Sequence, residues 1–422
     1  LNGYFGACHH IAQEDADFVV HLGDFIYESA RGEFTGAGSE QYPAREISFP
    51  SGESRPRSIT DYRHLYRTYR SDRFLREALE NHTLIATWDD HEFFLDLFWD
   101  RETNAPSGDH PERDNPGFMR TLAADALQAW WEYTPTRIDY DPAADALHDR
   151  FQLWRTFEFG DLAKIVFTDE RLYRDEPHGR DHVPIRRVMG PDHEPEGQTM
   201  LGEDQREWFL DEVESSEKIW TVWANEVLTV PAKLGAGPLT FYPTNTGWDG
   251  YQRERKQIFQ TLAEEDVSNF VTLSGDMHCY LAGYQQTTYD NSLRRLLTGS
   301  SIDPSKRVGV EFMTPPVTSL NFAETVGMSD GWRGRLTSPL LSWSARWQNP
   351  HLEFFDSHHW GYSIVEITPE VCTYTAYAVD KTTDSATAEK TVLARLQVPE
   401  GRTVIEDVTE QASLSNDGRG DR

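Results

Sequence analysis

His21-Leu22-Gly23-Asp24-Phe25-Ile26-Tyr27-Glu28 is the stretch on which the fold turns. Phe18, Val19, Val20 and Leu22 just before and within it form a short apolar run of β-prone side chains, the pattern of a strand buried in a parallel sheet. Gly23 permits a sharp turn and leaves Asp24 beyond the strand end, where open α/β sheets bind their ligands. A single Gly-Asp after a strand reads equally as an ordinary turn, so its meaning depends on how other strands end.

Further runs of the same kind follow. Thr83-Leu84-Ile85-Ala86-Thr87 leads into Trp88-Asp89-Asp90-His91-Glu92, and Ala163-Lys164-Ile165-Val166-Phe167 into Thr168-Asp169-Glu170-Arg171. Ile219-Trp220-Thr221-Val222-Trp223 delivers Asn225 and Glu226, and Phe270-Val271-Thr272-Leu273 ends in Ser274-Gly275-Asp276-Met277-His278. Helices are expected between them. Tyr62, Leu65, Tyr66 and Tyr69 make an apolar stripe from about Thr60 with a break at Ser71-Asp72, and others are expected over Met119 to Tyr133, Glu203 to Val213 and Gln252 to Glu264. The alternation predicts an α/β fold with a mostly parallel sheet covered by helices. Residues 30–58, 101–117 and 175–202, rich in Gly and Pro, read as loops around the strand ends. Beyond residue 310 shorter β pieces are expected, including Tyr362 to Ile367 and Cys372 to Val379, with 323–338 irregular. One unit over 1–399 and a mobile tail over 400–422 are expected.

With 422 residues and aromatics at 12%, the chain can bury a large core. Its formal net charge of −30 argues against a nucleic-acid groove or an anionic membrane surface as partner. The acid-rich, Lys-poor balance fits a high-salt environment or an ordinary secreted enzyme, and both readings stay open. Cys8, Cys279 and Cys372 show no metal-type spacing and define no disulfide framework. No apolar run is long enough to span a bilayer. The first residue is Leu1, with no charged leader region, and the chain is therefore expected to be a processed or truncated product. Oligomeric state is not legible.

The strand ends carry, in order, Asp24 with Tyr27; Asp89, Asp90, His91 and Glu92; Asn225; and Asp276 with His278. Carboxylates converging on one crevice raise each other's pKa unless cations neutralise them. Oxygen donors with one or two nitrogens suit Ca, Mn, Fe or Zn. The economical reading is a two-metal site in which a bridging hydroxide attacks a phosphate ester and His91 protonates the leaving alkoxide.

Asp17–Glu28, Thr87–Glu92 and Leu273–His278 resemble motifs of the alkaline phosphatase D (PhoD-type) family of calcineurin-like metallophosphoesterases. So do Asp169-Glu170-Arg171-Leu172-Tyr173-Arg174, Met200-Leu201-Gly202 and Asn349-Pro350-His351. The resemblance covers nearly the whole chain. It implies an α/β/β/α sandwich and a metal site built on iron and calcium, with zinc or manganese as the other candidates. It assigns Asp24 as the bridging carboxylate, Tyr27 as an iron-binding phenolate, and Asp90, Asn225, Asp276 and His278 as further ligands, with His91 as the catalytic histidine. Asp89, Glu92, Asp96 and Arg171 are read as neighbours that orient these ligands or join them. Tyr27 reads alternatively as a packed aromatic and Asn225 as a turn cap. Arg171 and Arg174 would face phosphate or brace the fold, and the His358-His359 pair belongs to rim or site.

Two departures stand out. The family carries a cysteine ligand on a strand well before the bridging Asp, after an Ig-like domain, whereas only 23 residues precede Asp24 here. Cys8 falls where a helix is expected and reads as a packed thiol, so that strand and domain are expected to be absent from this sequence. Leu95 also stands where the family has an amide, with Asp96 beside it as the partial substitute. The expected activity is metal-dependent hydrolysis of small phosphate esters, in an exported protein. The alternatives are a diesterase, a phospholipase-like relative, or a weakened phosphate- or metal-binding member.

Overall fold

The computed structural model describes residues 3–30, 42, 45–178, 194–234, 242, 244–289, 303–325, 327–328 and 331–410. The chain opens with α1 (Gly6–Ala12) and β1 (Phe18–His21), followed by α2 (Ile59–Arg70), α3 (Arg73–Asn81) and β2 (Thr83–Ala86). β1 and β2 run parallel, with Phe18 opposite Thr83 and His21 opposite Ala86, which places Asp24 and Asp89 beyond the same edge. The break expected at Ser71-Asp72 is real. The Asp72 carboxylate accepts the N–H groups of Phe74 (2.9 Å) and Leu75 (3.3 Å) and so starts α3.

Next come a short hairpin, β3 (Phe98–Asp100) with β4 (Ala105–Ser107), then α4 (Pro116–Tyr133) and α5 (Leu147–Arg150). The segment 101–117 is thus not all loop. It carries β4, and α4 begins earlier than the apolar pattern suggests because Asn115 caps it and Pro116 suits its first turn.

The main sheet has seven strands: β5 (Arg155–Phe159), β6 (Ala163–Phe167), β7 (Trp220–Ala224), β8 (Phe270–Ser274), β9 (Tyr280–Gln286), β10 (Arg307–Met313) and β11 (Leu352–Asp356). Their order is β11-β9-β10-β8-β7-β6-β5, and β6, β7, β8 and β10 are parallel. β5, β9 and β11 pair antiparallel and were not anticipated, since Tyr280 to Gln286 is buried along its length and shows no alternation to read. On the outer face, α6 (Glu203–Glu214) and α7 (Gln252–Glu264) bury Phe209, Val213, Ile258 and Leu262 against Val166, Trp223 and Phe270.

After α8 (Phe322–Thr325) and α9 (Gly331–Gln348), a second, antiparallel sheet forms from β12 (Gly361–Ile367), β13 (Val371–Val379), β14 (Lys390–Pro399) and β15 (Glu406–Asp407). Its inner face packs on the seven-stranded sheet: Cys372, Tyr374 and Leu396 meet Trp220, Tyr280 and Phe312, and the Tyr374 ring stacks on Phe312 at 4.6 Å. Ile85 of β2 packs on Ile165, Phe167 and Val222 in the same interlayer. Helices α1 to α4 cover the outside, with Cys8 buried among them and its thiol pushed up by burial. The layers are therefore helices, sheet, sheet, helices.

Two expectations are corrected. Residues 323–338 are largely helical rather than irregular, because α8 and the first turns of α9 fall there. The tail expected from residue 400 is packed as far as 410, since β15 pairs with β14 and Ile405 is buried; 411–422 lie outside the described residues. Of the three expected rim loops, 101–117 is fully described, while parts of 30–58 and 175–202 lie outside.

Burial holds two imidazoles neutral: His21 is pushed down to about 4, and His351, on the Pro231 carbonyl at 2.9 Å, lower still. Both titrate near 6.5 once unfolded, so the unfolded chain takes up protons first and the stability they contribute is present above pH 6.5 and lost on acidification. In urea denaturation series, the parent should lose more unfolding free energy than His351→Gln between pH 6.5 and about 4.

Candidate metal centre

Close approach of two backbones builds the site. Gly23 has φ +105°, and a Cβ placed there would lie 2.4 Å from both Cβ and N of Asp89, so only glycine lets the β1 and β2 ends meet. Glu92 then ties them together: its carboxylate accepts the N–H groups of Asp24 (2.9 Å), Phe25 (2.6 Å) and Asp89 (2.7 Å). Burial and the Asp24 charge push its pKa up to about 8 while those three donors pull the other way. Asp90–Glu92 form a single tight turn, which points the Asp90 and His91 side chains toward Asp24. Four non-glycine residues here, Asp24, Asp96, Asp276 and His278, have φ between 57° and 63°, a left-handed conformation that is costly away from glycine and typical of functional turns.

Two overlapping groups of donors result, Asp24 with Asp90 and His91, and Asp89 with Asp90 and Asp276, each with ligand atoms within 4.8 Å of one another. Asp90 is the member they share, whereas the resemblance gives the bridging role to Asp24. Burial pushes the Asp24 carboxyl up, but the charges of His91, His278 and Arg171 outweigh it and hold it at about 2. Burial instead wins at Asp89 and Asp276, both raised despite Arg171. Buried acids that repel one another fit a hard or borderline cation, and the mixed oxygen and nitrogen donor set suits iron, calcium, manganese or zinc.

The other expected residues fall as follows. Tyr27 Oη lies 3.1 Å from Asp24 Oδ2, 3.1 Å from His278 Nε2 and 2.8 Å from Ser319 Oγ, and burial with the Asp24 charge pushes the phenol well above its ordinary value. Asn225 is fully buried, and both ends of its amide are engaged inside the protein: Oδ1 accepts Trp248 Nε1 at 2.9 Å and Nδ2 donates to the Val227 carbonyl. Asp96 acts through its main chain, its N–H donating to Asp90 Oδ2 at 2.6 Å. Arg171 meets Asp89 and Asp276 with its guanidinium, while Arg174 braces the Leu97 and Thr246 carbonyls. His359 pairs with Asp356, and His358 with Ser357 and Thr337, outside both donor groups.

Sequence reasoning missed four contributors. Glu28 Oε2 holds His91 Nδ1 at 2.5 Å, while Oε1 accepts Arg55 Nη1 and the Leu95 N–H, both at 2.9 Å. Ser319 reaches Tyr27 from far along the chain, a proximity with no local sequence signal. Glu170 and Glu226 cross-link the β6 and β7 ends, each accepting the other's backbone N–H (Glu170 N to Glu226 at 2.7 Å, Glu226 N to Glu170 at 3.2 Å), and burial raises both. Their place directly after strands was the available signal.

Two stacked sheets with helices outside and acids and histidines at the strand ends define a metallophosphoesterase-type fold. The solved structure of PhoD superposes with a TM-score of 0.75 at 24% identity, over 96% of this chain and 69% of that one. The chain belongs to the PhoD-like phosphatase family, whose model matches residues 1–376. It is 28% identical over 375 residues to the alkaline phosphatase D of Bacillus subtilis (strain 168), covering 87% of this chain and 55% of that protein. The chain thus spans about half the length of that curated relative. No helix among the described residues is long and apolar enough to cross a membrane.

Glu92→Gln keeps the shape but turns one acceptor into an NH2 group facing backbone N–H. It should cost about 1–3 kcal/mol in chemical denaturation, and retained stability would show that the clamp is dispensable.

Proposed function

We propose that this chain hydrolyses small phosphate esters at neutral to alkaline pH with metal ions held at the ends of β1, β2 and β8. The observation that carries the reading is the convergence of Asp24, Asp90 and His91, with Asp276 joined through Asp90, in a chain of the PhoD-like phosphatase family. The similarity to an alkaline phosphatase D supports the same chemistry.

Asp24, Tyr27, Asp90, Asp276 and His278 would hold two or more cations, iron and calcium being the pair the family resemblance implies. Asn225 would join them by turning from Trp248. Bound cations supply the charge that holds phosphoryl oxygens and lowers the pKa of attacking water. Their charge would also reverse the balance at Tyr27 and favour the phenolate.

His91 is assigned the proton donated to the leaving alkoxide. Burial pulls its imidazole down, but the charges of Glu28, Asp24 and Asp90 outweigh that and hold it well above its ordinary value, the protonated form an acid needs. Glu28 grips Nδ1, so Nε2 is the nitrogen that transfers the proton. Arg55 and the Leu95 N–H keep Glu28 in place, which fixes the ring before substrate arrives.

Asp24→Asn should abolish turnover of a chromogenic phosphate monoester with little change in circular dichroism. Chelation of the parent followed by readdition of iron and calcium should remove and restore it. Unchanged turnover in the variant would sink the site assignment.

His91→Asn should lower kcat by about 100- to 10,000-fold for alkyl phosphates. The loss should be much smaller for nitrophenyl phosphate, whose leaving group needs no proton, and an equal loss on both would remove His91 from the acid role.

A further inference from the structure

Arg171 stands inside the second donor group. From it, Nε donates to Asp89 Oδ1, Nη2 lies 2.5 Å from Asp276 Oδ1 and Nη1 lies 3.5 Å from Asp90 Oδ2. These are the three carboxylates whose spacing otherwise describes a cation site. The side chain is 0% exposed, and Nη1 donates no hydrogen bond to a described residue. We propose that Arg171 is the resident cation of the Asp89–Asp90–Asp276 group, so that this group takes up no metal and the exchangeable metals gather on the Asp24 side.

The argument is one of charge and geometry. A guanidinium does not lose its proton in a protein, and its planar fork presents donors at fixed spacing to several carboxylates at once. A divalent cation among the same three acids would sit close against that permanent charge, and like charges at such short range repel. Withdrawal of Arg171 is opposed from behind. The Asp169 carboxylate accepts the N–H groups of Arg171 and Leu172, both at 2.9 Å, and Gln205 of α6 grips the backbone of Asp169 on both sides.

The consequence is a division of labour. Arg171 binds one oxygen each of Asp89 and Asp276, and the Asp96 N–H takes Asp90 Oδ2, so these donors leave the second oxygens of Asp90 and Asp276 for a cation shared with Asp24, which Asp90 already meets in the first donor group. Asp89 becomes an anchor for Arg171 and is not a ligand, and Arg171 becomes a positioning residue for the metal site. This rests on the proposed metal dependence but is read separately from turnover.

The test is a metal count on the full, chelator-stripped chain by equilibrium dialysis against Mn2+. Asp89→Asn should bind as many equivalents as the parent. Arg171→Met, which vacates the group, should bind one equivalent more, and adding Asp89→Asn to it should cancel the gain. Loss of an equivalent in Asp89→Asn would make Asp89 a metal ligand and overturn the proposal, as would a folded Arg171→Met with no gain. If Arg171→Met does not fold, the Asp89→Asn count decides alone. A parent that binds no Mn2+ would sink the proposed function, and the Arg171→Met gain would still decide this one.

Discussion

Three backbone N–H groups pointing at one buried carboxylate hold this centre in register. Asp24, Phe25 and Asp89 all donate to Glu92, which lies only three residues after Asp89 but bridges to the end of a strand far away in sequence. Strand pairing alone sets β1 beside β2; it does not decide how the chain leaves them. Glu92 does, and it can act only because Gly23 lets the two turns approach to a distance no side chain would tolerate. Several features of the donor set rest on that contact: the orientation of Asp90, the His91 N–H directed at Asp24, and the reach of Tyr27 back to Asp24.

The parts of this arrangement that were legible in sequence share a property: each is local. Apolar runs bounded by acids mark β1, β2, β6, β7 and β8, and the residues after them carry the chemistry. β9 was missed because a strand buried along its whole length in a two-layer sandwich loses the alternation that marks a half-exposed strand. Helix α9 was missed for another reason, since Gly331, Gly334 and Pro339 argue locally against a helix. Long-range partners were invisible altogether. Nothing near Ser319 announces that it meets Tyr27, and nothing near Glu28 announces His91, because a hydrogen bond across the fold leaves no periodicity.

The departure at Leu95 is instructive on how a backbone can replace a side chain. An amide expected at that position is missing, yet the chain turns there with Asp96 at φ 61° and aims two successive N–H groups inward. One, from Leu95, goes to Glu28 and so supports His91; the other, from Asp96, goes to Asp90. Donors of this kind cannot be lost by side-chain substitution, and they polarise an acid without adding charge. The departure therefore removes a side chain from the neighbourhood without removing the support of Asp90 and His91.

Charge balance explains why so many acids can share so small a volume before any metal is bound. Asp24 is answered by His91, His278 and Arg171, and Asp89 with Asp276 by the fork of Arg171. Glu170 and Glu226 have no such cation among their main partners; each instead accepts a backbone N–H from the other, and burial raises both. Acids paired with positive charge thus lie toward the crevice, and the acids raised by burial lie at the ends of β6 and β7.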